Sequence, residues 1–178
     1  CFLKINGQPI ILRLINQLRS LGIKDISIVT GYKSHMFKFK NVNLFYNKNY
    51  KLTNMVYSLT KAKKKLKDDT LIIYSDIILS KKILERMVNI KSKKYLSVAI
   101  DKNWKRYWAY RFDREDQDLE SLRLNKKNIL EIGKKVISSK NIDGRFIGIM
   151  RFPKKINQIF LNIWKKTANK NKLNWGIS

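Results

Sequence analysis

Apolar positions along the chain alternate between a helical and a strand period. Ile11, Leu14, Ile15, Leu18 and Leu21 recur at helical spacing over residues 10–21, with Gly22 where a left-handed cap is wanted, which predicts a helix. "ISIVTG" (26–31) and "NLFYN" (43–47) read as short strands, the first ending in glycine. Met55, Leu59, Ala62 and Leu66 share one side of a predicted helix over 54–66, which leads into the buried strand "TLIIYS". A further helix is predicted at 81–90 and a strand at 95–100 ("YLSVAI"). "DLESLRL" and "NILEIG" pair as a hairpin, and "FIGIMRF" (146–152) makes a late strand feeding a C-terminal helix.

This βαβ-like order predicts a mostly parallel sheet covered by helices with right-handed crossovers. Ligands in such sheets collect outside the carboxyl ends of the strands. Gly31, Asp76 and Asp101 each stand at such an end. Turns and helix caps favour the same residue types, so each also has a purely structural reading, and for Asp76 that is a cap for the helix near residue 81.

The 178 residues, 44% hydrophobic, suit a single domain over 1–178 with a real core. No apolar run is long enough to span a bilayer, and "CFLKINGQPI" lacks a signal-peptide layout, so a soluble cytoplasmic protein is expected. One cysteine, Cys1, rules out an intramolecular disulfide and a cysteine zinc cage, leaving oxygen ligands for any metal. His35 is equally alone and supports no catalytic triad. The net charge of +26 would suit a polyanion. It is almost all lysine, however, spread along the chain, and "KAKKKLK" (61–67) reads as the solvated face of a helix. Nucleic acid is therefore disfavoured as a partner, whereas phosphorylated small molecules would profit from the field.

A doubly wound domain normally opens on a strand and a phosphate-binding turn. Here the loop "LKINGQP" leads straight into the first helix, and the chain stops abruptly at "NWGIS". Both ends of a longer protein are expected to lie outside this sequence.

Five blocks carry a resemblance: "LKINGQPIILRLINQLRSLGIKDISIVTGYK", "NKNYKLTNMVYSL", "LIIYSDII", "DKNWKRYW" with Arg111, and "IDGRFIGIMRF". In that order they resemble the nucleotidyltransferase family that includes phosphocholine cytidylyltransferases and the transferases fused to phosphoenolpyruvate mutase. The resemblance implies a Rossmann-like three-layer α/β sandwich of the nucleotide-diphospho-sugar transferase type, with a mostly parallel mixed sheet. It also implies transfer of a nucleotidyl group, usually from CTP, to a phosphate or phosphonate oxygen, with release of pyrophosphate and dependence on Mg²⁺.

Such a reaction needs a cation to neutralise charge on the triphosphate, hence a carboxylate at a strand end. Magnesium keeps several waters and takes one or two protein carboxylates, so a lone Asp76 suffices for half of a site. By resemblance Asp76 is that metal ligand and catalytic residue. The family's second ligand and its glycine-rich loop with lysine match nothing in the chain, so the chain alone is expected to be inactive. Gly31, Tyr32, Thr53, Asn54 and Ser58 would border the nucleotide, where hydroxyl and amide groups match a pyrimidine edge. Asn54 has a second reading, as the cap of its helix.

For the acceptor, Trp104, Tyr107, Trp108 and Tyr110 crowd beside Arg111, near Asp101 and ahead of an acidic stretch with Asp113, Glu115, Asp116, Asp118 and Glu120. Aromatic faces hold a quaternary ammonium, as in phosphocholine. A primary amine, as in an aminophosphonate, would want Glu120, Glu131 or Asp143, with Arg111 on the phosphate end. The same rings would otherwise cover a sheet edge or line a homodimer contact. A sugar phosphate is the second-ranked acceptor. An RNA-binding domain is the alternative of another class, and it requires the aromatics on an open antiparallel sheet.

Overall fold

A computed structural model describes residues 1–112, 119–136 and 138–170 of the chain. The chain divides into two compact units, one of residues 1–97 with 151 onward, the other of residues 98–150.

The first unit opens on a two-residue hairpin turn that the sequence reading passed over. Strands β1 (Lys4–Ile5) and β2 (Gln8–Pro9) pair antiparallel around Asn6 and Gly7, at φ 50° and 76°. Asn-Gly is the dipeptide that tolerates two successive positive φ angles, and that signal was present in "INGQ". Helix α1 (Ile10–Ser20) follows and buries Ile10, Ile11, Leu14, Ile15 and Leu18, the predicted stripe. It ends in a Schellman motif: Gly22 (φ 80°) donates to the Arg19 carbonyl and Ile23 to that of Leu18, as the left-handed position requires.

Strand β3 (Ser27–Thr30) runs parallel to β4 (Asn43–Tyr46), with Thr30 opposite Tyr46, so both carboxyl ends fall together. Helix α2 (Met55–Lys61) is shorter than predicted. A 3₁₀ turn over Lys63–Lys65 takes up its end, and Met55, expected on the packed side, is exposed, while Ala62 and Leu66 are buried. Strand β5 (Thr70–Ile73) leads through a turn to α3 (Lys81–Val88).

The second unit begins within β6 (Ser97–Asp101) and continues into α4 (Trp104–Arg111), a helix the sequence reading did not predict. Aromatic crowding hid its period, although Trp104 and Trp108 are one turn apart and both buried. The predicted hairpin is β7 (Glu120–Asn125) against β8 (Asn128–Lys135), with a register shift accommodated by Gly133 at φ 84°.

Strand β9 (Arg145–Phe152) lies beside β6 and ends in the first unit, where β5 is its neighbour. Gly144, at its entry, packs against the carbonyl of Asp101 at the end of β6, so β9 runs against β6. Parallel pairing is thus seen between β3 and β4, and antiparallel pairing between β6 and β9 and in the two hairpins.

Helix α5 (Lys154–Lys170) closes the first unit through a polar cluster at the amino end of β5. Asp69 accepts from Arg151 Nη2 at 2.7 Å, from Lys93 Nζ at 2.7 Å and from the backbone N–H of Lys154 at 2.9 Å. The buried Arg151 also donates to the Ser92 carbonyl, and the buried Asn157 amide to Asp68 O and Thr70 Oγ1.

Candidate active site

Around the carboxyl ends of β3 and β4 the structure brings together the five residues expected to border the nucleotide. Gly31 follows β3, and a Cβ placed on it would lie 2.5 Å from Tyr50 Cβ and 2.6 Å from Cγ. Only glycine admits that approach. Tyr32, exposed, places its ring centroid 6.4 Å from that of Tyr50, with Lys33 Nζ 5.3 Å over it. Asn54 caps α2: its side chain accepts the Tyr57 N–H at 3.1 Å, so the capping role is real.

Thr53 and Ser58 both receive hydrogen bonds from Asn47 Nδ2, at 3.0 Å each. Asn47, one residue past β4, was missed by sequence reasoning, and an asparagine at a strand end reads as a turn residue unless its burial is known. Nearby, Tyr57 Oη accepts from Lys61 Nζ at 2.9 Å. That bond, with the lysine's charge and further help from Asn49 and Lys48, holds the phenol below its usual pKa against the effect of burial.

Asp76 stands in the turn after β5, exposed. Its capping alternative is excluded, because Ser80 caps α3 by accepting the Ile83 N–H. Among the described residues its carboxylate has no hydrogen-bond or ion-pair partner, in a chain with 39 lysines and arginines. As to donor chemistry, an exposed, uncommitted carboxylate at a strand end suits a hard, mostly hydrated cation. Among the described residues no three His, Cys, Asp or Glu side chains cluster as a metal site. An open depression of about 930 Å³, lined by Asp68, Asp69, Lys93, Lys154, Lys155 and Gln158, lies at the opposite, amino end of β5.

The residues expected to meet the acceptor fall in the second unit. Trp104 and Trp108 are 3% and 8% exposed and form a core with Leu119 and Ile142, against which Phe112 and Val136 pack. The faces of both rings already meet an internal cation. The Arg145 guanidinium sits 3.9 Å from the Trp108 centroid and 5.8 Å from that of Trp104. Arg145, at the start of β9 beside the end of β6, is a second residue that sequence reasoning did not single out.

Tyr107 and Tyr110 are exposed, and Arg111, also exposed, ends α4 with its guanidinium 5.5 Å from Trp108 and 5.2 Å from Phe112. Asp101 accepts the Asn103 N–H at 2.8 Å and Asp143 the Leu124 N–H at 2.7 Å. Glu131 pairs with Lys134 at 2.6 Å; that bond first, then one from Ser121, holds its carboxyl below the usual range. Glu120 is exposed at the start of β7; Asp113, Glu115, Asp116 and Asp118 lie outside the described residues. An RNA-stacking platform would display these rings on a sheet. Instead they ride on a helix, with both tryptophans inward.

The fold is that of the nucleotidyltransferases. Residues 1–132 match the family described as the MobA-like NTP transferase domain, and the chain belongs to that family. It is similar to the CTP:phosphoglutamine cytidylyltransferase of Campylobacter jejuni, 31% identical over 163 residues that cover 85% of this chain and 64% of that protein. The chain thus spans under two thirds of that relative's length. Its fold is shared with the inositol-1-phosphate CTP transferase of T. maritima (TM-score 0.68, 14% identity, 98% of this chain and 65% of that one). It is shared also with the CTP:phosphocholine cytidylyltransferase of Streptococcus pneumoniae (TM-score 0.62, 19% identity, 93% of this chain and 68% of that one). The fold expected from the five sequence blocks is the one observed. Among the described residues no helix is long and apolar enough to cross a membrane.

Proposed function

We propose that this chain forms the nucleotide-facing body of a cytidylyltransferase that transfers CMP from CTP to a small, nitrogen-bearing phosphate or phosphonate and releases pyrophosphate. The observation that carries the reading is the Asp76 carboxylate: exposed at the carboxyl end of β5, relieved of capping by Ser80, and without a partner among the described residues. A charge kept that way in a strongly basic chain is accounted for by a cation it holds.

In the reaction an acceptor oxygen forms a bond to the α-phosphorus of CTP, the bond from that phosphorus to the β-bridging oxygen breaks, and the electron pair leaves with pyrophosphate. Mg²⁺, when bound by Asp76, supplies charge neutralisation on the triphosphate oxygens. The wall of Gly31, Tyr32, Thr53, Asn54 and Ser58 orients the nucleoside, and the lysine-rich field draws in the phosphates.

Arg111 is the group for the acceptor's phosphate end. With Trp104 and Trp108 committed to the core and to Arg145, the acceptor's nitrogen falls to the exposed Tyr107 and Tyr110 and to Asp101, Glu120, Glu131 and Asp143. Phosphocholine and aminophosphonates fit this chemistry. The phosphoglutamine in the curated relative's name is a further phosphate of the same kind.

The test is pyrophosphate release by the natural full-length protein, across the common nucleoside triphosphates, with phosphocholine, aminoethylphosphonate, phosphoglutamine and sugar phosphates as acceptors. Turnover with CTP and one of the first three acceptors is expected, and Asp76→Asn should lower kcat by about a hundredfold or more, the scale of one group stabilising the transition state. Retention of most of the activity by that variant would remove Asp76 from the chemistry.

A further inference from the structure

We infer that Asn47 is the positioning residue of the nucleotide wall, holding the loop over residues 48–53 and the first turn of α2 in register with the end of β3. The inference rests on the nucleotide reading above and extends it to a side chain that touches no ligand itself.

Asn47 is 1% exposed, and a buried amide is costly unless its hydrogen bonds are made. Among the described residues Asn47 makes five, one of them accepted by its carbonyl from the Tyr50 N–H at 3.3 Å. Its N–H donates to the Thr30 carbonyl at 2.8 Å, which fixes it to β3. Its Oδ1 accepts the Asn49 N–H at 3.1 Å, at the start of the loop. Because that N–H can only donate, the amide orientation is settled and Nδ2 must face the hydroxyls of Thr53, at the loop's end, and Ser58, in α2.

Those hydroxyls spend their own protons on the Asn49 and Asn54 carbonyls, at 2.8 and 3.3 Å. Thr53 and Ser58 therefore present only acceptor capacity to a nucleotide, in an orientation that one amide dictates. Deleting the amide frees both hydroxyls to turn and the loop, with its Tyr50, to shift against Gly31.

The experiment is steady-state kinetics on the natural full-length protein with Asn47→Ala, Ser58→Ala and the double variant, beside hydrogen exchange of residues 48–58 with and without CTP and Mg²⁺. Asn47→Ala is expected to raise KM for CTP roughly tenfold, the scale of one lost hydrogen bond to a buried group, and to leave KM for the acceptor within about twofold. The double variant should be little worse than Asn47→Ala alone, because the two residues act as a unit. A lowered melting temperature with both KM values unchanged, or fully additive effects, would overturn the inference. If wild type shows CTP-dependent protection of 48–58 and Asn47→Ala behaves as wild type, Asn47 alone fails; if wild type shows no such protection, the nucleotide reading fails and this inference with it. Should Asn47→Ala not fold, Asn47→Asp, which keeps the size and the bond from Asn49, carries the same measurements.

Discussion

Asp69→Ala removes the carboxylate on which the amino end of β5 and the start of α5 converge. Arg151 loses its charge-assisted bond at 2.7 Å, about 1.5–3 kcal/mol for a bond to a charged group, and Lys154 loses the acceptor for its N–H, about 1 kcal/mol for a helix cap. The third partner, Lys93, is well exposed, and its pair adds little. Breaking a fully buried pair costs about 3–5 kcal/mol, but Asp69 keeps 30% of its side-chain surface, so water reaches the vacated place. A loss of about 3 kcal/mol follows, or roughly 6–12 °C in Tm for a chain of this size.

The pH dependence sharpens the test. The Lys93 bond first, then the Lys154 N–H and the Arg151 charge, hold the Asp69 carboxyl below its ordinary value, despite partial burial. A native pKa below the unfolded one gives stability that is complete above the unfolded value and disappears as pH falls through the native one. Urea denaturation of wild type and Asp69→Ala should therefore show the full gap at neutral pH and a closing gap in acid. A difference under about 1 kcal/mol at neutral pH, or one that stays constant into acid, would refute the reasoning.

Gly31→Ala forces its Cβ onto Tyr50 and should cost about 1–3 kcal/mol, with much of the loss recovered in Gly31→Ala/Tyr50→Ala, as thermal melts of the three variants would reveal. Trp108→Ala opens the core of the second unit and should cost about 3–5 kcal/mol by denaturant titration, whereas Tyr110→Ala, at a position 85% exposed, should stay within about 0.5 kcal/mol. Equal effects at the two positions would contradict the assignment of the tryptophans to the core.

Local periodicity placed most of the elements, because burying one face of a helix or strand dictates which residues recur. The stripe of α1 and the turn at Gly22 needed nothing beyond the neighbouring residues. The Asn6–Gly7 hairpin was equally local and was overlooked rather than hidden. α4 was hidden, since four rings and an arginine suggested a surface site, while burial of Trp104 and Trp108 depends on Leu119 and Ile142 arriving from later segments.

Chemistry divides in the same way. Sequence alone made Asp76 a candidate, since a charge following an apolar strand needs explaining, and the family resemblance named the residues proposed to border the nucleotide. Tertiary structure decided the structural alternatives: Ser80 caps α3 in place of Asp76, Asn54 does cap α2, and Arg145 lies over the tryptophan faces. The hydrogen bonds of Asn47 emerge only in three dimensions, because an amide's value depends on what surrounds it once water has been excluded, and its partners come from β3, the loop and α2.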